Sequence, residues 1–211
     1  MIFDLNLDRG RKRPGIKWER HGNDVLSAWV ADMDVEVPDF IKEAVIERIE
    51  VGGLGYGFYD EPIPVLEAFK SRMDTAFGWS IDTEDVMRVH DVIQGLEWVL
   101  HTSTPPGSEI VVQTPVYPPF YSSVEGTGRN WVANPLLENE EGWALDFDHL
   151  AEVAARDNVS ALLLCHPHNP CGYVMTSADL AQIIEIAELN NLLVISDEIH
   201  CDLVYSPHKH V

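Results

Sequence analysis

Ala161-Leu162-Leu163-Leu164-Cys165-His166-Pro167-His168-Asn169-Pro170-Cys171-Gly172 is the stretch on which the fold reading turns. Its first five residues are apolar without alternation, as expected of a strand buried on both faces. The histidines and prolines that follow break the run and end the strand. From Ser177 to Asn190 the spacing becomes helical, with Leu180, Ile183, Ile184 and Ala187 on one inward stripe. A second continuous run follows, Leu192-Leu193-Val194-Ile195-Ser196. Strand, helix and strand in that order predict a parallel pair joined by a crossover. The fold class is therefore α/β, with a mostly parallel sheet between layers of helices.

Upstream, Pro105-Pro106-Gly107 makes a turn into a third run, Ile110-Val111-Val112. Before it lies a helix candidate carrying Val92, Leu96, Val99 and Leu100, itself preceded by the short apolar run Val86-Met87-Arg88-Val89. Two further helices are predicted. One follows Pro38 with Phe40, Ile41, Ala44, Val45 and Ile49 on a stripe and stops at Gly52-Gly53; the other runs from Pro64 to Phe77 with Leu66, Phe69, Met73 and Phe77 on one face. Between them, Gly52-Gly53-Leu54-Gly55-Tyr56-Gly57 is a glycine-rich loop that can approach another surface closely. The first thirty-odd residues read as an irregular arm, interrupted by Gly10, Pro14, Gly15 and Gly22 and basic at Arg9, Arg11, Lys12 and Arg13.

Composition narrows the function. Among 211 residues, 14 Lys and Arg face 35 Asp and Glu, a net charge of −21. Such a chain repels phosphate backbones and anionic lipid, so neither nucleic acid nor membrane is an expected partner. No apolar run approaches the roughly 18 residues of a membrane helix, and Met1-Ile2-Phe3-Asp4-Leu5-Asn6 has no signal-peptide pattern. Three cysteines, Cys165, Cys171 and Cys201, make a poor disulfide framework and suit a reducing cytoplasm.

The chemistry gathers where the runs end, which is where open α/β sheets bind ligands. After Val112-Gln113 comes Thr114-Pro115-Val116-Tyr117-Pro118-Pro119, a rigid loop presenting an aromatic ring. After Cys165, two prolines fix the backbone around Asn169. After Ser196 comes Asp197-Glu198-Ile199-His200, with a carboxylate at the strand's end. Aromatic plate, amide and carboxylate suit a flat, cationic, nitrogen-containing ring. Each also has a plainer reading: loop packing for Tyr117, turn chemistry for Asn169, helix capping for Asp197. Cys165, His166, His168, Cys171, His200 and Cys201 cluster as the ligands of a metal module would, but their spacing fits no paired zinc motif.

Taken together, Thr114-Pro115-Val116-Tyr117, His168-Asn169-Pro170-Cys171-Gly172 and Ser196-Asp197-Glu198-Ile199-His200 resemble the fold-type I pyridoxal-phosphate enzymes of the aminotransferase class I/II superfamily. Trp29-Val30-Ala31-Asp32-Met33-Asp34, Gly55-Tyr56-Gly57 and the extension to Cys201-Asp202 look like its cystathionine β-lyase (C–S lyase) branch. The likeness runs from Phe3-Asp4 to His208. It implies a three-layer αβα large domain holding pyridoxal 5′-phosphate at residues 51–211, truncated at its C-terminus, after an arm and part of a small domain at residues 1–50. It also implies roles. Asp197 keeps the pyridinium nitrogen protonated, Asn169 donates to the ring oxygen, Tyr117 stacks on the ring, and His200 lies near that oxygen. The amides of Asp91 and Val92 cradle the phosphate, and Tyr56 reaches the phosphate of a neighbouring subunit in a homodimer with shared active sites. Asp32 and Met33 border the substrate.

There are departures from the family pattern. Asp91 stands where relatives carry a small or hydroxyl residue, and a carboxylate there opposes a phosphate unless it turns away to cap the helix. Cys171 replaces a threonine or valine. The Schiff-base lysine and the carboxylate-binding arginine are not in the 211 residues, whose lysines are Lys12, Lys17, Lys42, Lys70 and Lys209. The expectation is thus an N-terminal part of a C–S β-lyase that cleaves cystathionine or cysteine S-conjugates to thiol, pyruvate and ammonia. By itself it is expected to be inactive and poorly folded, with apolar strand faces and backbone edges left open. An aminotransferase shares every residue quoted, and a non-catalytic relative is a third reading.

Overall fold

A computed structural model describes residues 11–22, 24–56, 63–140 and 142–211. Readings placed on Phe3-Asp4, Arg9, Gly10 and Gly57 fall outside these. The chain divides into two compact units, one ending at Ile63 and one running from Pro64 to Val211.

The N-terminal unit contains the short helix α1 (Ile16–Glu19) and the helix α2 (Asp39–Glu50). Proline fixes the φ of residue 38 and α2 starts directly behind it. It ends where Gly52 takes φ +70, a left-handed conformation that glycine adopts without penalty, and the amide of Gly53 folds back on the carbonyl of Arg48. The helix is as predicted, but its stripe is not buried within this unit: Phe40, Ile41, Val45 and Ile49 are all exposed.

The C-terminal unit opens with α3 (Pro64–Phe77), whose predicted face buries only Met73. A 3₁₀ turn (Thr83–Asp85) follows, and the run Val86–Val89 forms no strand. Next come α4 (Val92–Ser103), β1 (Glu109–Thr114), α5 (Pro119–Gly126), β2 (Asn130–Pro135), an antiparallel hairpin of β3 (Leu137–Asn139) and β4 (Gly142–Ala144), α6 (Phe147–Ala154), β5 (Val159–Cys165), α7 (Ser177–Leu189) and β6 (Leu193–Asp197). The four long strands form one parallel sheet in the order β2-β1-β5-β6.

Alternate residues of the two central strands feed two cores. Ile110, Val112, Ala161 and Leu163 pack with Leu96 and Leu100 of α4 and Phe120 and Val124 of α5. Val111, Leu162 and Leu164 pack with Leu150 and Val153 of α6 and Ile183 and Ile186 of α7. This is the predicted α/β/α layering, and each core residue removes apolar surface from water on one side of the sheet. Ile184 corrects the predicted stripe of α7: it is 51% exposed, and Ile186 takes the inward place. Val92 and Val99 of α4 likewise lie at the surface. The edge strand β6 is half covered, with Val194 exposed.

Candidate functional site

The register aligns the strand ends. Val112 pairs with Leu163, and Leu163 with Ile195. Two residues on, Thr114, Cys165 and Asp197 therefore stand level at the carboxyl edge. From β1 the chain moves outward to β2, whereas β5 lies on β1's other side. The loops after β1 and β5 thus diverge between these two strands, and a crevice opens at such a switch point. Tyr117 is in the first of these loops and Asn169 in the second.

Tyr117 and Asn169 each have a local support. The ring of Tyr117 is 39% exposed and meets the fully buried Phe120 edge-on at 6.2 Å, while its carbonyl accepts from the Phe120 amide and starts α5. The amide of Asn169 donates to Cys165 Sγ at 3.3 Å. Burial raises that thiol to about 11, so it sits in the core as an uncharged acceptor. Asn169 and His200 share the wall of a cleft of about 300 Å³ with His168, Leu203, Tyr205 and His208. Tyr117 and Asp197 do not line this cleft.

Asp197 is half-buried at the tip of β6. Its carbonyl accepts from the amide of His166, and Oδ1 accepts from the amide of Ile199 at 3.0 Å. Burial pushes its carboxyl above the usual range, against the pull of the Ile199 amide and the nearby His200. Among the described residues no lysine or arginine pairs with it. It is an acceptor suited to a cation from outside the chain.

Helix α4 precedes β1 and returns through Pro105-Pro106-Gly107, so its N-terminus points to the carboxyl edge of the sheet. Asp91 is its N-cap, with Oδ1 accepting from the Gln94 amide at 2.8 Å. The carboxylate is therefore turned back on its own helix. The first-turn amides of a helix have no partner within it and carry its positive end. At the other end of α4, the buried guanidinium of Arg129 donates to the carbonyls of Thr104 and Thr127 and to Thr104 Oγ1, cations being favoured at that end.

In the N-terminal unit, Tyr56 is fully exposed. Asp32 and Met33 line a separate cleft of about 260 Å³ with Arg13, Lys17, Trp18 and Asp34. Sequence reading missed how tightly this turn is held. Lys17, only 8% exposed, donates to the carbonyl of Asp32 and to Asp34 Oδ2, and the Trp18 indole donates to Asp34 Oδ1 at 2.8 Å. Arg13 donates to the carbonyls of Met33 and Val35. The hydrogen bond from Lys17 holds the Asp34 carboxyl below its usual value. The sequence carries no local signal for it, since Ile16 beside Lys17 is itself exposed and Asp34 lies seventeen residues away.

Two histidines of the rejected metal set are buried imidazoles. His166 and His168 are both lowered, first by burial and, for His166, also by the adjacent ring of His210 stacked at 4.4 Å. Cys165 at the end of β5 packs in one core and Cys171 of the following loop against the other, so the two cysteines lie on opposite faces of the sheet.

The family profile of Aminotransferase class I and II matches residues 33–211. Cystathionine β-lyase PatB of Bacillus subtilis is 37% identical over 98% of this chain and 55% of its own length. A probable N-succinyldiaminopimelate aminotransferase of Mycobacterium tuberculosis is 32% identical over 84% of this chain and 45% of its own. Among solved structures, cystalysin of Treponema denticola with its pyridoxal 5′-phosphate aligns at a TM-score of 0.89 and 29% identity, covering 100% of this chain and 55% of that one. The pyridoxal-phosphate-bound C–S lyase of Staphylococcus hominis aligns at 0.84 and 28%, covering 90% and 47%. The chain spans about half the length of the curated relatives it matches.

Proposed function

The chain belongs to the class I and II aminotransferase family, and we propose that it supplies the cofactor-holding part of a pyridoxal 5′-phosphate-dependent C–S β-lyase. The observation that carries this reading is the half-buried Asp197 carboxylate, raised by burial and without a lysine or arginine partner among the described residues, at the same sheet edge as Asn169 and Tyr117. A protonated ring nitrogen is the cation that fits it. The N-terminus of α4, its carboxylate committed to capping, suits a phosphate.

When bound, pyridoxal 5′-phosphate supplies an electron sink for charge released at the substrate's Cα. The chain's residues serve that sink. Asp197 holds the proton on the ring nitrogen, Asn169 donates its side-chain amide to the ring oxygen with His200 nearby, and Tyr117 covers one face. The Asp91 and Val92 amides receive the phosphate. Tyr56, exposed on its loop, serves a neighbouring subunit of a homodimer, and the turn at Asp32 and Met33 borders the substrate. Residues 51–211 form the cofactor domain, residues 1–50 the arm and part of a small domain, and the protein is cytoplasmic.

The substrate is cystathionine or a cysteine S-conjugate. Elimination breaks the Cβ–S bond, and one water completes the products: thiol, pyruvate and ammonia. The experiment is to express the complete gene, supply cystathionine and cofactor, and measure thiol and pyruvate. Equal release of both supports the lyase. Amino transfer to a keto acid without thiol release supports the second reading, an aminotransferase, which the likeness to the N-succinyldiaminopimelate enzyme favours.

A further inference from the structure

The loop from His166 to Tyr173 is held more firmly than a surface connection requires, and His168 is the centre of that hold. Its amide donates to the carbonyl of Tyr173 at 2.8 Å and its carbonyl accepts from the amide of Gly172 at 2.7 Å, closing the chain across Asn169, Pro170 and Cys171. The closure needs Gly172 at φ +69. The far limb is anchored in turn. The Tyr173 hydroxyl donates to Asp179 Oδ2 at 2.9 Å, and Asp179 completes the capping box with Thr176 that starts α7.

The ring does what the main chain cannot. His168 is 2% exposed, and its Nε2 lies 3.4 Å from the main-chain carbonyl of Gln113, next to the last residue of β1. A carbonyl only accepts, so Nε2 carries the proton and Nδ1 the lone pair. Nδ1 has no partner among the described residues. A buried ring with one unsatisfied nitrogen costs free energy that a leucine of similar volume would not. What the histidine adds is a tie across the switch point, from the loop bearing Asn169 to the strand leading to Tyr117. On the other side the His166 amide ties the same loop to the carbonyl of Asp197. The β5 loop is thus strapped to both strands whose ends carry the other two ring-holding groups.

We propose that His168 is a positioning residue: by pinning its loop to β1 it fixes the side-chain amide of Asn169 against the ring oxygen of pyridoxal 5′-phosphate. The inference rests on the proposed role of Asn169 and adds a residue to it. A residue that acts through Asn169 loses its effect when Asn169 is gone, whereas a merely structural one does not.

The test is a double-mutant cycle of His168→Leu and Asn169→Ala in the protein expressed from its complete gene. It is read by the dissociation constant of pyridoxal 5′-phosphate from tryptophan fluorescence, with the melting temperature alongside. His168→Leu should weaken cofactor binding about tenfold in the native background and less than about twofold in Asn169→Ala. His168→Gln, which can still present an N–H to Gln113, should return to within about threefold of native. If His168→Leu does not fold, His168→Asn, too short to reach Gln113, takes its place in the cycle. An equal loss in both backgrounds, or a His168→Gln variant as weak as the leucine, overturns the proposal while leaving Asn169's role intact. An Asn169→Ala protein with native cofactor affinity overturns both.

Discussion

Replacing Asp197 by asparagine should move two measurements in opposite directions. The amide keeps an oxygen for the Ile199 N–H at 3.0 Å, and the main-chain bond from His166 and the pairing of Cys165 with Asp197 do not involve the side chain. The local fold therefore survives. What disappears is a half-buried negative charge. Burial raises the carboxyl's folded pKa above its unfolded value of about 3.9, so its penalty is absent at low pH and grows as pH rises through the folded value. Near neutral pH the cofactor-free variant should gain up to about 1 kcal/mol of stability, the low end of a polar desolvation cost. With cofactor present the balance reverses. A hydrogen bond to a charged group contributes about 1.5–3 kcal/mol, which makes cofactor binding roughly 10- to 100-fold weaker in the variant. Turnover should fall further still, because the ring nitrogen no longer keeps its proton. Urea denaturation of the cofactor-free protein and fluorescence titration with pyridoxal 5′-phosphate read the two effects. A variant less stable than native without cofactor and unchanged in cofactor affinity would refute the reasoning, and Asp197 would then be the cap of its own turn.

Asp91→Ala should cost about 1 kcal/mol by unsatisfying the Gln94 amide, whereas Asp91→Ser, which keeps a cap and removes a charge, should tighten cofactor binding severalfold in titration. Lys17→Met removes two charge-assisted hydrogen bonds from the turn at residues 32–34 and should cost that turn about 2 kcal/mol, read by hydrogen exchange of its amides. Because Lys17 holds the Asp34 carboxyl low, the pair's contribution is present above about pH 3.9 and is lost as pH falls through the lowered value; Asp34→Asn should flatten that acid slope. Arg129→Met leaves the carbonyls of Thr104 and Thr127 without their donor and should cost about 3 kcal/mol, seen as a lower urea midpoint at unchanged slope. A shift under about 0.5 kcal/mol would show that the guanidinium network contributes nothing net.

The sequence by itself determined what depends on near neighbours along the chain. Unbroken apolar runs at 110–112, 161–165 and 192–196 specified strands covered by helices, and glycines and prolines marked where they stop. The residues placed just past those stops, Tyr117, Asn169 and Asp197, were legible as chemistry for the same reason. The strand β2 was not. Its apolar residues Trp131, Val132 and Ala133 sit between Asn130 and the pair Asn134-Pro135, which read as a turn, and they form a strand because the edge of β1 offers their backbone a ladder. The order β2-β1-β5-β6 was invisible too, and with it the switch point from which the loops carrying Tyr117 and Asn169 diverge. Periodicity says which face of an element is buried but not which element covers it. The same limit hid Lys17 against Asp34, seventeen residues apart, and His168 against Gln113, fifty-five apart. Those pairs are decided by how the elements pack, since a buried donor takes whichever acceptor the tertiary fold brings within reach.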